Sequence, residues 1–327
     1  MTMSINARYF VVNFDIKDVA VGLVGFGYVG QAIESFFSTE CKSYVYDKFK
    51  DGLDTLEDTV SNASVIFVCV PTPMNKDGSC YTGIVESAIL DIQQAAARLA
   101  RDINEFILVV KSTVTPGFTD KMKEKTGMRI IFSPEFLTEA ASIEDFEKVN
   151  RVILGGDIED ARVVYKFFER KMEPRGVTIA QCPTKTAEMT KLFTNAFLMT
   201  KVLFANEMYQ VCSGLEIDYE EVMNLACLDS RIAYSHFIVP GPDGELGAGG
   251  HCFPKDINSL RHVAKEAGVD EKMFSAVIQR NDELRVRKDW LEMKGRAVVE
   301  EYEDDSDGSG RDDLYSGEFG DVPSSET

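Results

Sequence analysis

One cysteine stands in a stretch that combines glycines, a proline and charged side chains, GAGGHCFPKD at residues 247 to 256. Pro254 suits the first turn of a helix, so Cys252 is predicted to lie just before a helix N-terminus. The free amides and the dipole of a helix start stabilise a thiolate, and Lys255 adds positive charge. The pattern predicts a nucleophilic thiol with a lowered pKa, against the commoner role of cysteine as a small buried apolar residue. Cys80, in DGSCYTG, has a similarly open sequence but lacks the helix start.

A second pattern lies near the N-terminus, where VAVGLVGFGYVGQAIESFF gives an apolar run, a glycine turn and a helical run. Gly25, Gly27 and Gly30 meet the dinucleotide fingerprint G-x-G-x-x-G. Asp47 ends the next predicted strand about 20 residues further on, where a carboxylate can bind both ribose hydroxyls and repel a 2′-phosphate. The alternative is a packed turn, with Asp47 solvating a strand end. Order and spacing together favour a site for NAD over NADP.

Further apolar runs alternate with helical segments and are nearly continuous, as expected for parallel strands covered on both faces. The runs are residues 63–70, 106–114, 151–156 and 176–180. The predicted fold class is therefore α/β, a Rossmann-type doubly wound, mostly parallel sheet. Polar residues follow two of the runs, in VPTP and KST, at the carboxyl ends where such sheets bind ligands. Turn-capping hydroxyls are an equal alternative for Thr72 and Thr113.

Residues 184 to 212 contain neither proline nor glycine and predict a long helix of the kind that connects or dimerises domains. Lys191 and Asn195 share one face of it, although such residues are usually solvated. Shorter helices are predicted beyond it. The expected domains are an NAD-binding Rossmann domain (1–182), an all-helical central dimerisation and substrate domain (183–292) and an acidic disordered tail (293–327).

The formal net charge of -19 argues against nucleic acid or an anionic membrane as partner. Residues 300 to 327 hold eleven acidic residues and one arginine, so this segment carries over half of the charge. It is expected to be a solvating tail or an acidic peptide that docks on a partner or on a basic cleft. Seven cysteines without C-x-x-C indicate neither a disulfide framework nor a metal site. With no leader or membrane span, a cytoplasmic protein is predicted.

The glycine fingerprint, VPTP, KSTV, SPEFLTEA, KLFTNAF and GAGGHCFPKD, in this order, resemble the UDP-glucose dehydrogenase family of nucleotide-sugar dehydrogenases. The resemblance spans about residues 19 to 288. It implies NAD as cofactor, a nucleotide sugar such as UDP-glucose as substrate and a homodimer formed through the long helix. It also implies that a sugar C6 alcohol is oxidised twice, to a carboxylate.

The resemblance assigns a role to each matched catalytic position. Cys252 would attack the intermediate aldehyde and hold it as a thiohemiacetal and then as a thioester. Glu135 would work through a water that Thr113 helps to position. Lys191 and Asn195 would stabilise the developing oxyanion. Asp256 would orient this network.

The resemblance further implies two sets of binding residues, and no metal. The cofactor set comprises Gly25, Phe26, Gly27, Tyr28, Val29, Gly30, Asp47, Pro71, Thr72, Ser112, Thr113, Glu139 and Lys255. The substrate set comprises Phe136, Leu137, Lys191, Asn195, Arg231 and Gly249. Arg231 reaches the substrate across the dimer in some members of the family.

Two departures keep alternatives open. His251 stands where UDP-glucose enzymes usually carry Ser or Thr, and G-G-H-C is more typical of relatives that oxidise UDP-N-acetylmannosamine. The F-P-K-D that follows is of the UDP-glucose type. After NDELRVRKDWLEMKGR the family's second nucleotide-binding domain is expected, but the acidic segment follows instead. The same chemistry on another sugar, including GDP-mannose, and a catalytically impaired NAD-binding homologue are the alternatives.

Overall fold

The computed structural model describes residues 3–4, 19–137 and 142–300. Its centre is an eight-stranded sheet of order β1-β8-β7-β6-β5-β4-β2-β3. The strands are β1 (Met3–Ser4), β2 (Ala20–Val24), β3 (Lys42–Tyr46), β4 (Val65–Val68), β5 (Ile107–Val110), β6 (Ile130–Phe132), β7 (Arg151–Gly155) and β8 (Thr178–Cys182). The pairs β1–β8 and β6–β7 are antiparallel and the other pairs are parallel. The predicted α/β class with a mostly parallel sheet is confirmed.

The described residues form helices that cover both faces of the sheet and helices that build a separate region beyond it. They are α1 (Tyr28–Phe37), α2 (Leu56–Asn62), α3 (Gly83–Arg98), α4 (Phe118–Thr126), α5 (Ser142–Lys148), α6 (Ile158–Met172), α7 (Thr184–Gly214), α8 (Tyr219–Ala226), α9 (Phe253–Glu266), α10 (Lys272–Leu284) and α11 (Asp289–Glu292). Phe37 and Phe168 from α1 and α6 fill one face, and Ile89 and Ile92 from α3 fill the other. Because both faces are covered, β4 (VIFV) is buried at every residue.

The chain order reverses at β2, which pairs with β3 on one side and with β4 on the other. In doubly wound sheets the ligand crevice opens at the carboxyl ends of the strands at such a switch point. The loops that begin at Gly25 and at Cys69 leave the sheet side by side there, since the Cys69 amide donates to the carbonyl of Val24. The motifs GFGYVG and VPTP therefore line one crevice.

The long helix predicted at residues 184–212 is α7, and it links the sheet to the helical region. Its first turns dock on the Rossmann domain through Glu188, whose carboxylate accepts from the amides of Gly117 and Thr119 at the start of α4, at 2.5 and 2.9 Å. Further along, Leu192 and Met199 pack with Ile257 of α9 in a separate apolar core. One helix thus fixes where α9 stands relative to the sheet.

Residues 293–300, predicted as the start of the tail, instead pack on the Rossmann domain. Met74 donates its amide to the carbonyl of Ala297 at 2.8 Å and accepts from the amide of Val299 at 3.0 Å. Trp290 and Val298 complete a small buried cluster around Met74. The apolar residues of MKGRAVV explain this docking, which the neighbouring acidic run obscures in the sequence. The acidic residues 301–327 lie outside the described part of the chain.

Among the helices that the structure describes, none is long and apolar enough to cross a bilayer.

Candidate active site

The glycine-rich loop between β2 and α1 has the backbone that a dinucleotide needs. Gly25 has φ of 94°, and a Cβ there would lie 2.7 Å from the carbonyl oxygen of Cys69. A Cβ on Gly30 would lie 2.3 Å from the oxygen of Gly25, so the helix packs too closely for a side chain. At Gly27, by contrast, the space is open. The first turn of α1 carries no acidic side chain, so its amides fit the pyrophosphate of NAD.

Asp47 follows β3 directly and faces this loop. Its Oδ2 accepts from the amide of Phe26 at 2.7 Å, and its Oδ1 accepts from the amide of Phe49 at 2.9 Å. Each carboxylate oxygen keeps a second lone pair for a ribose hydroxyl. Asp47 therefore fits the ribose-binding role and also holds the loop in place.

Replacing Asp47 with asparagine should weaken NAD binding about tenfold and reduce the preference for NAD over NADP. Asparagine keeps one acceptor oxygen for Phe26, whereas the negative charge that repels a 2′-phosphate is lost. Asp47→Ala removes both and should weaken NAD binding further. Titrations of both cofactors, with Asp51→Asn as a control at an exposed position, measure the change. An unchanged ratio of NAD to NADP affinity would show that Asp47 does not read the ribose.

The polar residues after β4 and β5 are engaged with one another. Ser112 donates its hydroxyl to the carbonyl of Val70 at 2.7 Å and so joins the two strand ends. Cys80 lies against the Thr113 carbonyl at 3.7 Å and hydrogen-bonds Thr72. Burial raises the pKa of Cys80 to about 11. This thiol therefore stays protonated near neutral pH.

Cys252 is the N-cap of α9, with Pro254 in the first turn, so the predicted helix start is confirmed. Burial raises the pKa of its thiol, but a hydrogen bond and positive charge from His251, together with Lys191, bring the pKa below its ordinary value. The lowered pKa was predicted, but its source was not. Lys255 also interacts with Cys252, yet the larger contributions come from His251 and Lys191.

Lys255 forms an ion pair with Asp256, in which the Lys255 ammonium lies 2.5 Å from Asp256 Oδ1. Burial lowers the pKa of Lys255, and the carboxylate of Asp256 with the nearby thiols of Cys80 and Cys252 more than offsets this, so that the net shift is upward. The other oxygen of Asp256 accepts from Asn195 Nδ2 at 2.6 Å. One buried carboxylate therefore holds Asn195 and Lys255 in fixed positions beside the thiol.

Glu135 follows β6 and is buried against a cation that the sequence reasoning missed. Its Oε2 lies 3.0 Å from Lys111 Nζ, and both side chains are buried. Its Oε1 accepts from the amide of Phe136 at 2.7 Å. Lys191 of α7 donates to the Glu135 carbonyl and stands over the Phe136 ring at 5.3 Å. Lys111, in the KST motif at the end of β5, was the available signal.

Four further predicted site residues lie in different surroundings. Leu137 is buried beyond Phe136, whereas Glu139 lies outside the described residues. Gly249 touches Arg285, because a Cβ on Gly249 would lie 2.1 Å from that guanidinium. Arg231 is exposed, and its guanidinium pairs with Asp229 at 2.5 Å rather than with the groups around Cys252. Within one chain, Arg231 is therefore not brought to the predicted site.

The glycine-rich loop before Cys252 is held by side chains that the sequence reasoning also missed. Asn281 accepts from the amide of Ala248 at 2.7 Å and donates to its carbonyl at 3.0 Å. Asn206 accepts from Gly247 and Asp289 accepts from Gly250, both at 3.0 Å. These contacts fix the approach to Cys252 from α7, α10 and α11.

A glycine-rich loop at the switch point of a doubly wound sheet defines a dinucleotide-binding domain of the Rossmann class. Residues 42–171 match the NAD binding domain of the UDP-glucose/GDP-mannose dehydrogenase family, and residues 185–283 match its central domain. The chain therefore belongs to the UDP-glucose/GDP-mannose dehydrogenase family, and its cofactor is NAD.

The relatives agree with this assignment. The chain is 30% identical over 285 residues to UDP-glucose 6-dehydrogenase AglM of Haloferax volcanii, an alignment that covers 83% of this chain and 64% of that protein. It is 32% identical over 243 residues to a UDP-glucose 6-dehydrogenase of Pseudomonas aeruginosa, covering 69% and 50%. A UDP-glucose dehydrogenase structure from Pyrobaculum islandicum matches with a TM-score of 0.72 at 25% identity, covering 84% and 70%. The chain thus spans about half to two thirds of the curated relatives' length.

Proposed function

We propose that this protein oxidises the C6 alcohol of UDP-glucose to the carboxylate in two NAD-dependent steps, with Cys252 as nucleophile. The observation that carries the proposal is the Cys252 thiol, with a lowered pKa at a helix start. Lys191 and Asp256 interact electrostatically with this thiol, and Asn195 hydrogen-bonds Asp256. NAD supplies the chemistry of accepting hydride. A thiolate is needed because the aldehyde must be trapped between the two oxidations and must still be oxidised as an adduct.

In the proposed mechanism the Cys252 thiolate attacks the aldehyde carbon, and the carbonyl oxygen becomes an alkoxide. Lys191 and Asn195 stand ready to stabilise this charge, since both are held in place before the reaction, Lys191 by the Glu135 carbonyl and Asn195 by Asp256. Oxidation of this thiohemiacetal gives a thioester. The charge stabilisation needs no rearrangement of the site when the alkoxide forms.

Hydrolysis of the thioester returns the thiolate. The Glu135 carboxylate, buried against Lys111, is proposed to hold the attacking water and take its proton, with Thr113 positioning that water. Glu135 Oε2 makes an ion pair with Lys111 at 3.0 Å but has no hydrogen-bond partner of good geometry, so it can accept from a water. The water oxygen bonds to the thioester carbon and the carbon–sulfur bond breaks.

An NADH absorbance assay with UDP-glucose tests the proposal. Sustained turnover with two NADH formed per sugar supports it, since a single oxidation would give one. The same assay with UDP-N-acetylmannosamine and GDP-mannose tests the sugar, which the G-G-H-C sequence leaves open. NAD binding without turnover on any of them would favour a catalytically impaired homologue instead.

We further propose a homodimer through α7. Phe193, Phe197 and Phe204 lie on one stripe of this helix, and each has more than half of its surface exposed. Phe193 and Phe197 stack with ring centroids 6.3 Å apart. An exposed aromatic stripe of this kind is typical of an interface. A cytoplasmic location is likewise proposed, because all seven cysteines are free thiols.

Mixed dimers test whether Arg231 serves a neighbouring subunit's site, as its exposure allows. Arg231→Ala and Cys252→Ser proteins should each be inactive. Heterodimers purified with two affinity tags should recover about half of the wild-type activity, because one of the two sites is then intact. Demonstrated heterodimers without activity would place Arg231 in its own chain's site, and an active Arg231→Ala homodimer would place it outside any site.

A further inference from the structure

A tyrosine and a histidine from the two domains meet at the Cys252 sulfur. The Tyr28 hydroxyl lies 3.0 Å from His251 Nε2 and 3.9 Å from Cys252 Sγ. The two rings stand edge to face with centroids 5.3 Å apart. Tyr28 is the first residue of α1, directly after the fingerprint's second glycine, whereas His251 precedes α9. The thiol is therefore contacted from the cofactor loop as well as from its own loop.

We propose that His251 accepts the thiol proton of Cys252 and that the Tyr28 hydroxyl positions the imidazole for this transfer. The proposal rests on the proposed function, in which Cys252 is the nucleophile. In the transfer the S–H bond breaks and an N–H bond forms on the imidazole, which leaves a thiolate beside an imidazolium. The proton returns when the thiol is regenerated.

The hydrogen-bonding capacity of the three groups fits the charged pair. A protonated Nε2 donates to the Tyr28 oxygen, and the Tyr28 hydroxyl donates to the thiolate, so both donors have acceptors. Burial and the Cys252 charge raise the pKa of Tyr28. The hydroxyl therefore keeps its proton near neutral pH and remains a donor to sulfur.

The other charged groups near the thiol are poor candidates for this proton. Lys191 and Lys255 are ammonium groups without a lone pair. Asp256 is held by Asn195 and Lys255, and its charge opposes thiolate formation. Glu135 is paired with Lys111, and its proposed part is to take a proton from the hydrolytic water rather than from the thiol. His251 hydrogen-bonds Cys252, and a neutral imidazole has a ring nitrogen with a lone pair that can take the proton and make the ring a cation beside the thiolate.

The test measures thiolate formation without NAD or sugar, so that it does not depend on turnover. Alkylation of Cys252 by iodoacetamide is followed across pH by mass spectrometry of its peptide. His251→Asn should raise the apparent pKa of the thiol by about one unit and slow alkylation at neutral pH about tenfold. Tyr28→Phe keeps the ring contact and should raise the pKa by a smaller amount. His262→Asn, a surface histidine paired with Glu266, should change nothing.

An unchanged pH profile in His251→Asn, with wild-type circular dichroism, would overturn the proposal. His251→Ser serves as a second variant if the first does not fold. A shift with His251→Asn but none with Tyr28→Phe would remove the positioning role of Tyr28. If Cys252→Ser is no longer alkylated at position 252 but still turns over, the proposed function is refuted instead. Failure of the His251 proposal and failure of the proposed function are therefore distinguishable.

Discussion

Cys252→Ser should lower the rate of UDP-glucose oxidation by at least about a thousandfold, because a serine hydroxyl stays protonated where the thiol ionises and cannot hold the aldehyde for the second oxidation. The affinity for NAD should remain within a few-fold, since the cofactor loop and Asp47 are unaffected. The measurements are steady-state NADH formation and a separate NAD titration.

Cys41→Ser is the matched control for the Cys252 variant. Cys41 lies at the amino end of β3, at the edge of the sheet opposite the crevice, and burial raises the pKa of its thiol. This variant should retain turnover close to the wild-type rate. Wild-type turnover in Cys252→Ser itself would contradict the covalent mechanism.

Asp256→Ala should destabilise the fold by about 3 to 5 kcal/mol, because it leaves the ammonium of Lys255 buried without its partner. Asp256 is 1% and Lys255 8% exposed, so water cannot replace the lost carboxylate. Asn195 also loses its acceptor. Urea unfolding followed by circular dichroism measures the change, and activity should be lost as well because Asn195 is no longer held.

Two further variants sharpen the Asp256 experiment. Asp270→Ala breaks an exposed ion pair with Lys272 and should leave the midpoint of urea unfolding unchanged. The double variant Asp256→Ala with Lys255→Met removes the unpaired charge and should recover part of the lost stability. A single Asp256→Ala variant as stable as the wild type would show that Lys255 gives up its charge or reaches water at little cost.

The sequence predicts the strands of the sheet well where burial on both faces requires a continuous apolar run. β4 is covered on both faces, so its residues form a continuous apolar run. The sequence analysis did not predict β6, because the apolar run Ile130–Phe132 is only three residues long. So short a run before Pro134 could equally belong to a turn. Docking of residues 293–300 was missed since the acidic run beside them dominates the local composition.

Local parts of the site were predictable and long-range contacts were not. Pro254 marks the helix start that places Cys252, because the signal lies within two residues. The contact of Tyr28 with Cys252 joins positions 224 apart in the chain. Local sequence spacing cannot predict a contact over such a separation. The pairing of Lys111 with Glu135 depends on strand register. Val110 stands opposite Phe132, so the residues that follow each strand meet.

The docked segment at residues 293–300 forms a second connection between the two domains, in addition to α7. Pro183 precedes α7, where the chain passes from the sheet to the helical region, and the backbone pairing at Met74 ties the far end of the helical region to the loop after β4. A swing that opened the crevice would have to break both hydrogen bonds of Met74 and draw Trp290 out of its cluster. The same loop carries Thr72, a predicted cofactor contact. Separation of the two regions at this end would therefore also disturb the loop that carries Thr72.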